Sequence, residues 1–184
     1  MKPIFLIGYM GCGKTTLGRS LGKSLGIDFI DLDIYIEGRF MRTVRDLFAE
    51  KGESEFRRIE SSMLQEVAEM EDVVIACGGG TPCFGNNMDY MNSKGVTVFL
   101  HVSTDRLFER LSRNRSKRPL VMNLSDEELR EYISKNLAVR LPYYNQAQHQ
   151  LCGEELENRS QIDKTVDKFV TTIMVNGEYE TLNK

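Results

Sequence analysis

The sequence predicts an α/β fold of three layers, with helices on both faces of a five-stranded parallel sheet. Three observations carry that prediction. Four short apolar runs and a fifth short strand-like segment recur along the 184 residues, each too short for a helix, and two of the runs lead into glycine-rich turns. Between the runs, apolar residues return every three or four positions, which is the helical period. Capping residues stand where several of these periodic segments start or stop. A chain that alternates strand with helix builds a parallel sheet, because parallel neighbours need a crossover long enough to hold a helix.

In chain order, Ile4, Phe5, Leu6 and Ile7 form the first run, followed at once by Gly8, as suits a strand buried on both faces. A helix is predicted over residues 15–25, where Leu17, Leu21 and Leu25 recur every four positions and Gly26 stands as a C-cap. Phe29 and Ile30 make a second short strand. Charged helical stretches follow over about residues 43–69. Residues 73–76 are a third apolar run, ahead of Gly78, Gly79 and Gly80, and residues 96–100 a fourth. Ser103 precedes a helix with Leu107 and Leu111 on one face, and Ser125-Asp126-Glu127-Glu128 has the form of a capping box. The polar, basic segment between these helices, residues 114–124, reads as a mobile flap. A strand at residues 149–151 and a helix over 161–173 complete the fold. The expected organisation is one domain over residues 1–176 and a fraying polar tail over 177–184.

Composition narrows the function. Hydrophobic residues make up 41% and charged residues 28%, ordinary values for a folded globular chain. The apolar opening before Gly8 is too brief for a signal peptide or a spanning helix, so the expected location is the cytoplasm. Cys12, Cys77, Cys83 and Cys152 offer no CxxC pair, and His101 and His149 lie far from them, so four free thiols are expected rather than a zinc site. A net charge of −3 gives no general field for nucleic acid, and an anionic ligand must be met locally, as by Arg113, Arg115, Lys117 and Arg118. No long apolar stripe is left unused, which favours a monomer.

Residues 8–15, Gly-Tyr-Met-Gly-Cys-Gly-Lys-Thr, match the phosphate-binding pattern G-x-x-x-x-G-K-[ST] between a predicted strand and a predicted helix. Its glycines let N–H groups turn toward phosphates, Lys14 reaches the β- and γ-phosphates, and the Thr15 hydroxyl suits Mg²⁺. Gly11, Cys12, Gly13, Lys14, Thr15 and Thr16 are the candidate nucleotide contacts. No N-K-x-D motif for reading guanine is present, so ATP is the expected nucleotide.

Other residues point to an acceptor. Asp31 and Asp33 end the second strand, where alternate residues share a face, so one carboxylate can serve a metal and the other a substrate. A helix cap or a solvated pair fits the same pattern. Arg57 and Glu60 lie three apart on a helix, where the carboxylate can aim the guanidinium; a surface ion pair is the alternative. Three glycines in a row, 78–80, bring backbone N–H groups close to a ligand, where a plain turn needs only one. Downstream stand Arg118-Pro119-Leu120 in the flap and Arg140 just before Pro142.

In that order, the glycine-rich loop, Asp-x-Asp, Glu55-Phe56-Arg57-x-x-Glu60, Gly78-Gly79-Gly80, Arg118-Pro119-Leu120 and Arg140 resemble the shikimate kinase family over residues 4–173. The resemblance implies a nucleoside-monophosphate-kinase-like fold with a substrate-binding region at about residues 33–61 and a lid at about 112–124. It implies transfer of the γ-phosphoryl group of Mg-ATP to the 3-hydroxyl of shikimate, a step toward aromatic amino acids. By the same resemblance Arg57 and Arg140 grip the shikimate carboxylate, Glu60 orients Arg57, and Asp33 with Gly79 and Gly80 holds ring hydroxyls. Asp33 accepts the proton, Thr15 and Asp31 hold Mg²⁺, and Arg118 joins Lys14 at the transferring group. Arg110 and Arg159 match the adenine-side arginines. Rival expectations are a related kinase such as gluconate kinase, or a nucleotide-binding module without turnover.

Overall fold

The computed structural model describes residues 1–115, 118 and 120–174. The expected tail, and Ser116, Lys117 and Pro119 of the flap, lie outside them. Five parallel strands, β1 (Ile4–Ile7), β2 (Asp28–Asp31), β3 (Val73–Ala76), β4 (Val96–His101) and β5 (His149–Cys152), form one sheet in the order β2-β3-β1-β4-β5. Strand β1 sits centrally, pairing Leu6 with Ala76 on one side and with Val98 on the other, and all four of its residues are buried. That placement explains its unbroken apolar run, since a central parallel strand meets helices on both faces. The edge strand β2 is only half-buried and carries Asp28 and Asp31.

Helix α1 (Lys14–Leu25) buries Leu17 and Leu21 and ends on Gly26 at φ 68°, whose N–H donates to the Gly22 carbonyl. Helix α2 (Leu32–Phe40) was not expected. Its sequence, with Leu32, Ile34 and Ile36, alternates like a strand, but Leu32 and Ile36 face the core one helical turn apart while Ile34 is exposed. Helix α3 (Val44–Ala68), capped by Thr43, bends at Gly52, where φ is 76°. The mainly polar α4 (Asn87–Lys94) was also not expected; Met88 and Met91 anchor it from one face.

The serine caps stand as predicted. Ser103 accepts from the Arg106 N–H at the start of α5 (Thr104–Arg113). At the start of α6 (Asp126–Tyr144), Ser125 accepts from the Glu128 N–H at 3.2 Å while the Glu128 carboxylate accepts from the Ser125 N–H at 2.7 Å. Helix α6 continues two residues past Pro142. Helix α7 (Arg159–Phe169), which starts slightly earlier than expected, packs on α1 and passes into a π-helical turn, Val170–Met174. All four cysteines are free. No helix among the described residues is long and apolar enough to cross a membrane.

Because β2, β3 and β1 are neighbours, the segments that leave their carboxyl ends stand side by side. Those segments carry Asp31 and Asp33, the three glycines, and the phosphate-loop motif.

Candidate active site

The phosphate loop leaves β1 with Gly8 at φ 143° and enters α1 through Gly13 at φ 106°. Both need glycine for space as well as for dihedral angle. A Cβ on Gly8 would stand 2.7 Å from the Leu100 carbonyl oxygen, and one on Gly13 2.5 Å from Leu156 Cδ1. Helix α1 has no side-chain cap and no acid in its first turn, so its free N–H groups and positive end remain available to an anion. The Lys14 ammonium folds back over the loop, donating to the carbonyls of Gly8 at 2.8 Å and Tyr9 at 2.9 Å. The Thr15 hydroxyl donates to Asp31 Oδ2 at 2.8 Å, which joins the first turn of α1 to the end of β2.

A cleft of about 350 Å³ runs from this loop to the ends of β2 and β3. Gly11, Gly13, Lys14, Thr15 and Thr16 line one end, and Asp31, Asp33, Gly78 and Gly79 the other. Arg110 and Arg118 border it from α5 and the flap. Arg110 is fixed by four partners, with Nε 2.7 Å from Glu157, Nη1 3.2 Å from the Cys12 carbonyl and 3.5 Å from the Gly11 carbonyl, and Nη2 3.1 Å from the Glu154 carbonyl. Arg118 is partly buried, and that burial lowers its pKa. An arginine retains its charge nonetheless.

Two expected nucleotide contacts stand elsewhere. The Cys12 side chain is buried behind the loop, against a second cavity of about 230 Å³, and its N–H donates back to the Tyr9 carbonyl at 3.2 Å. Arg159, the first residue of α7, is 68% exposed and paired with Asp163 at 2.9 Å rather than lining the cleft. From the segment after β5, Leu156 and Glu157 reach the cleft instead.

At the far end of the cleft Asp33 projects from the first turn of α2, not from the strand, so it does not share the expected strand face with Asp31, although both carboxylates reach the cleft. Burial first, then the negative charges of Glu60 and Asp31, push the Asp33 carboxyl up to about 6, against the pull of Lys14. Glu60 is 1% exposed, so its bond with Arg57 is no surface pair. One carboxylate oxygen accepts from Arg57 Nη1 at 2.7 Å and the other from the Thr81 hydroxyl at 2.6 Å.

The three glycines let these groups converge. The point where a Cβ on Gly78 would stand is 2.9 Å from Glu60 Oε1 and 3.0 Å from both Asp33 Oδ1 and Thr81 Oγ1. The corresponding point on Gly79 is 3.2 Å from Arg140 Nη1, and that on Gly80 is 2.8 Å from Arg57 Cζ. Two further residues, not singled out in the sequence, complete this end. Thr81 follows the glycines directly, and Tyr144 lies one turn beyond Arg140 on α6, its hydroxyl donating to the Gly79 carbonyl at 2.6 Å. The i, i+4 spacing of Arg140 and Tyr144 was the legible signal for the latter.

The shikimate kinase family model matches residues 10–173. The chain belongs to the shikimate kinase family. A shikimate kinase of Phocaeicola vulgatus is 53% identical over 169 residues, covering 92% of this chain and 97% of that protein. The crystal structure of shikimate kinase from Bacteroides thetaiotaomicron superposes with a TM-score of 0.90 at 50% identity, covering 92% of this chain and 96% of that one. Shikimate kinase from Acinetobacter baumannii, solved in complex with shikimate, gives a TM-score of 0.83 at 29% identity over 96% of this chain and 94% of that one. A gluconokinase from Sinorhizobium meliloti shares the fold, with a TM-score of 0.54, at 14% identity over 95% of this chain and 96% of that one. Membership in the shikimate kinase family makes ATP the co-substrate and places the gluconate kinase expectation behind.

Proposed function

We propose that the chain transfers the γ-phosphoryl group of ATP to the 3-hydroxyl of shikimate. The observation that carries this reading is the convergence of Asp33, Arg57 and Arg140 on the three glycines, beside the phosphate loop. Two guanidinium forks suit a planar carboxylate, and a carboxylate nearby suits a polyol ring. Asp33, ionised above about pH 6, accepts the hydrogen of the attacking hydroxyl, and the backbone of Gly79 and Gly80 holds ring hydroxyls beside it.

At the donor end Lys14 exchanges the Gly8 and Tyr9 carbonyls for phosphate oxygens. The paired Thr15 hydroxyl and Asp31 carboxylate fit Mg²⁺, which keeps several waters and takes few protein ligands beside the phosphates. That ion, when bound, neutralises charge on the β- and γ-oxygens. Residues of about 33–61 serve as the acceptor region, and those of about 112–124 as a lid that carries Arg118 to the transferring group. Closure excludes water, which otherwise competes as acceptor.

The direct test is ADP release from Mg-ATP, with shikimate, gluconate and nucleoside monophosphates as parallel acceptors. Stimulation by shikimate alone is expected. Stimulation by another acceptor would overturn the assignments of Asp33, Arg57 and Arg140, and silence with all would favour a module without turnover.

Arg57→Ala is expected to raise KM for shikimate by about 10–100-fold, the worth of a charge-assisted bond, with KM for ATP within about twofold. Because it also strands the buried Glu60 carboxylate, it lowers stability, by about 3 kcal/mol or more. Arg57→Ala combined with Glu60→Gln separates the two effects, recovering melting temperature but not KM. Equal loss toward both substrates would remove Arg57 from the acceptor site.

A further inference from the structure

The two guanidinium groups assigned to the acceptor carboxylate come from different helices, Arg57 from α3 and Arg140 from α6. A planar carboxylate is held bidentately only if both arrive at a fixed separation and angle. Long, flexible arginine side chains do not supply that by themselves. Both helices pack against the short 3₁₀ turn Thr81–Cys83, which follows the three glycines.

Each arginine meets this segment beside one buried hydroxyl. Thr81 donates to Glu60 at 2.6 Å, and the other oxygen of Glu60 accepts from Arg57 at 2.7 Å. Tyr144 donates to the Gly79 carbonyl at 2.6 Å, and the Cβ position of that same glycine lies 3.2 Å from Arg140 Nη1, one helical turn before Tyr144 on α6. The segment that receives both is itself internally bonded. Thr81 N–H donates to the Gly78 carbonyl at 3.1 Å and Cys83 N–H to the Gly80 carbonyl at 2.9 Å. The Asn87 amide, at the start of α4, donates to the Thr81 carbonyl at 2.8 Å. Glu60 and Tyr144 are both fully buried, so neither link competes with water.

We propose that Thr81 and Tyr144 are positioning residues for the acceptor, whose hydroxyls register Arg57 and Arg140 on the segment after β3 and so set the span of the carboxylate clamp. The inference rests on the reading that the two arginines receive the acceptor's carboxylate. It extends that reading to residues that need not touch the substrate. It assigns selectivity among carboxylate-bearing polyols to two neutral hydroxyls behind the clamp.

The test is steady-state kinetics in both substrates, with melting temperature, for Tyr144→Phe, Thr81→Val, Thr81→Ser and Arg140→Met. Tyr144→Phe and Thr81→Val are each expected to raise KM for shikimate about tenfold, the worth of one bond in a charged network, with kcat and KM for ATP within about twofold. Thr81→Ser, which keeps the hydroxyl, is expected to restore KM. A selective rise supports the proposal whatever the change in melting temperature. Unchanged KM for shikimate in Tyr144→Phe and Thr81→Val, or KM values for both substrates rising together as the melting temperature falls, would overturn it. If Arg140→Met raises KM while the hydroxyl variants do not, positioning alone fails. If Arg140→Met also leaves KM unchanged, the carboxylate reading fails with it.

Discussion

Asp33→Asn is expected to lower kcat by 10²–10⁴-fold, the usual contribution of a positioned proton acceptor, while making the folded protein more stable at pH 7. Both effects have one origin. Burial, reinforced by Glu60 and Asp31, raises the carboxyl from 3.8 to about 6. A folded-state value above the unfolded one means that the native state holds a proton the unfolded chain has already lost. Stability therefore falls as pH rises through the window from about 4 to about 6 and levels off above it. At pH 7 the ionised side chain costs on the order of 1–3 kcal/mol, which the neutral amide avoids. Melting curves of the two proteins should converge as pH is lowered toward 4. In the wild type, kcat/KM should fall as pH drops through about 6, with a slope of one proton. Near-normal turnover in D33N would place the proton acceptor elsewhere.

Lys14→Ala is expected to lower kcat by at least 10²–10³-fold in a folded protein. The ammonium is the loop's only lysine, and phosphoryl transfer relies on positioning and charge more than on covalent chemistry. Its bonds to the Gly8 and Tyr9 carbonyls also hold the loop in shape, so ATP affinity falls alongside turnover. The fold survives because Lys14 lines the cleft, from which water can replace the ammonium. Circular dichroism and melting temperature verify folding, and single-turnover kinetics report the chemical step. Retained turnover would remove the phosphate loop from the reaction.

Much of this is legible in the sequence, and the reasons differ by residue. The strands were readable because a parallel sheet buries both faces, leaving the unbroken runs of β1 and β3. The caps at Gly26, Ser103 and Ser125 were readable because they are local chemistry. Helix α2 was not. Its alternating Leu32, Ile34 and Ile36 mimic a strand, and only tertiary burial of the first and third reveals a helical face. The Arg57–Glu60 pair shows the other limit, since a spacing of three does not say whether the pair is solvated; the burial of Glu60 does. Arg159 and the Cys12 side chain lie where a motif-based match did not anticipate, since such a match fixes neither the direction of a side chain nor the start of a helix. Tyr144 and Thr81 carry no motif of their own, and their significance depends on a carbonyl and a carboxylate remote in sequence.

The neighbouring order of β2, β3 and β1 has a consequence for how such a protein can diversify. The loop proposed to grip phosphate follows β1, with Asp31 of β2 and Arg118 of the flap beside it, whereas the residues proposed to read the acceptor follow β2 and β3 or come from α3 and α6. Mutations on the acceptor side can accumulate in segments that never enter the phosphate loop. Each half is thus open to separate selection, and a lineage could exchange one alcohol for another while its hold on the nucleotide stays intact.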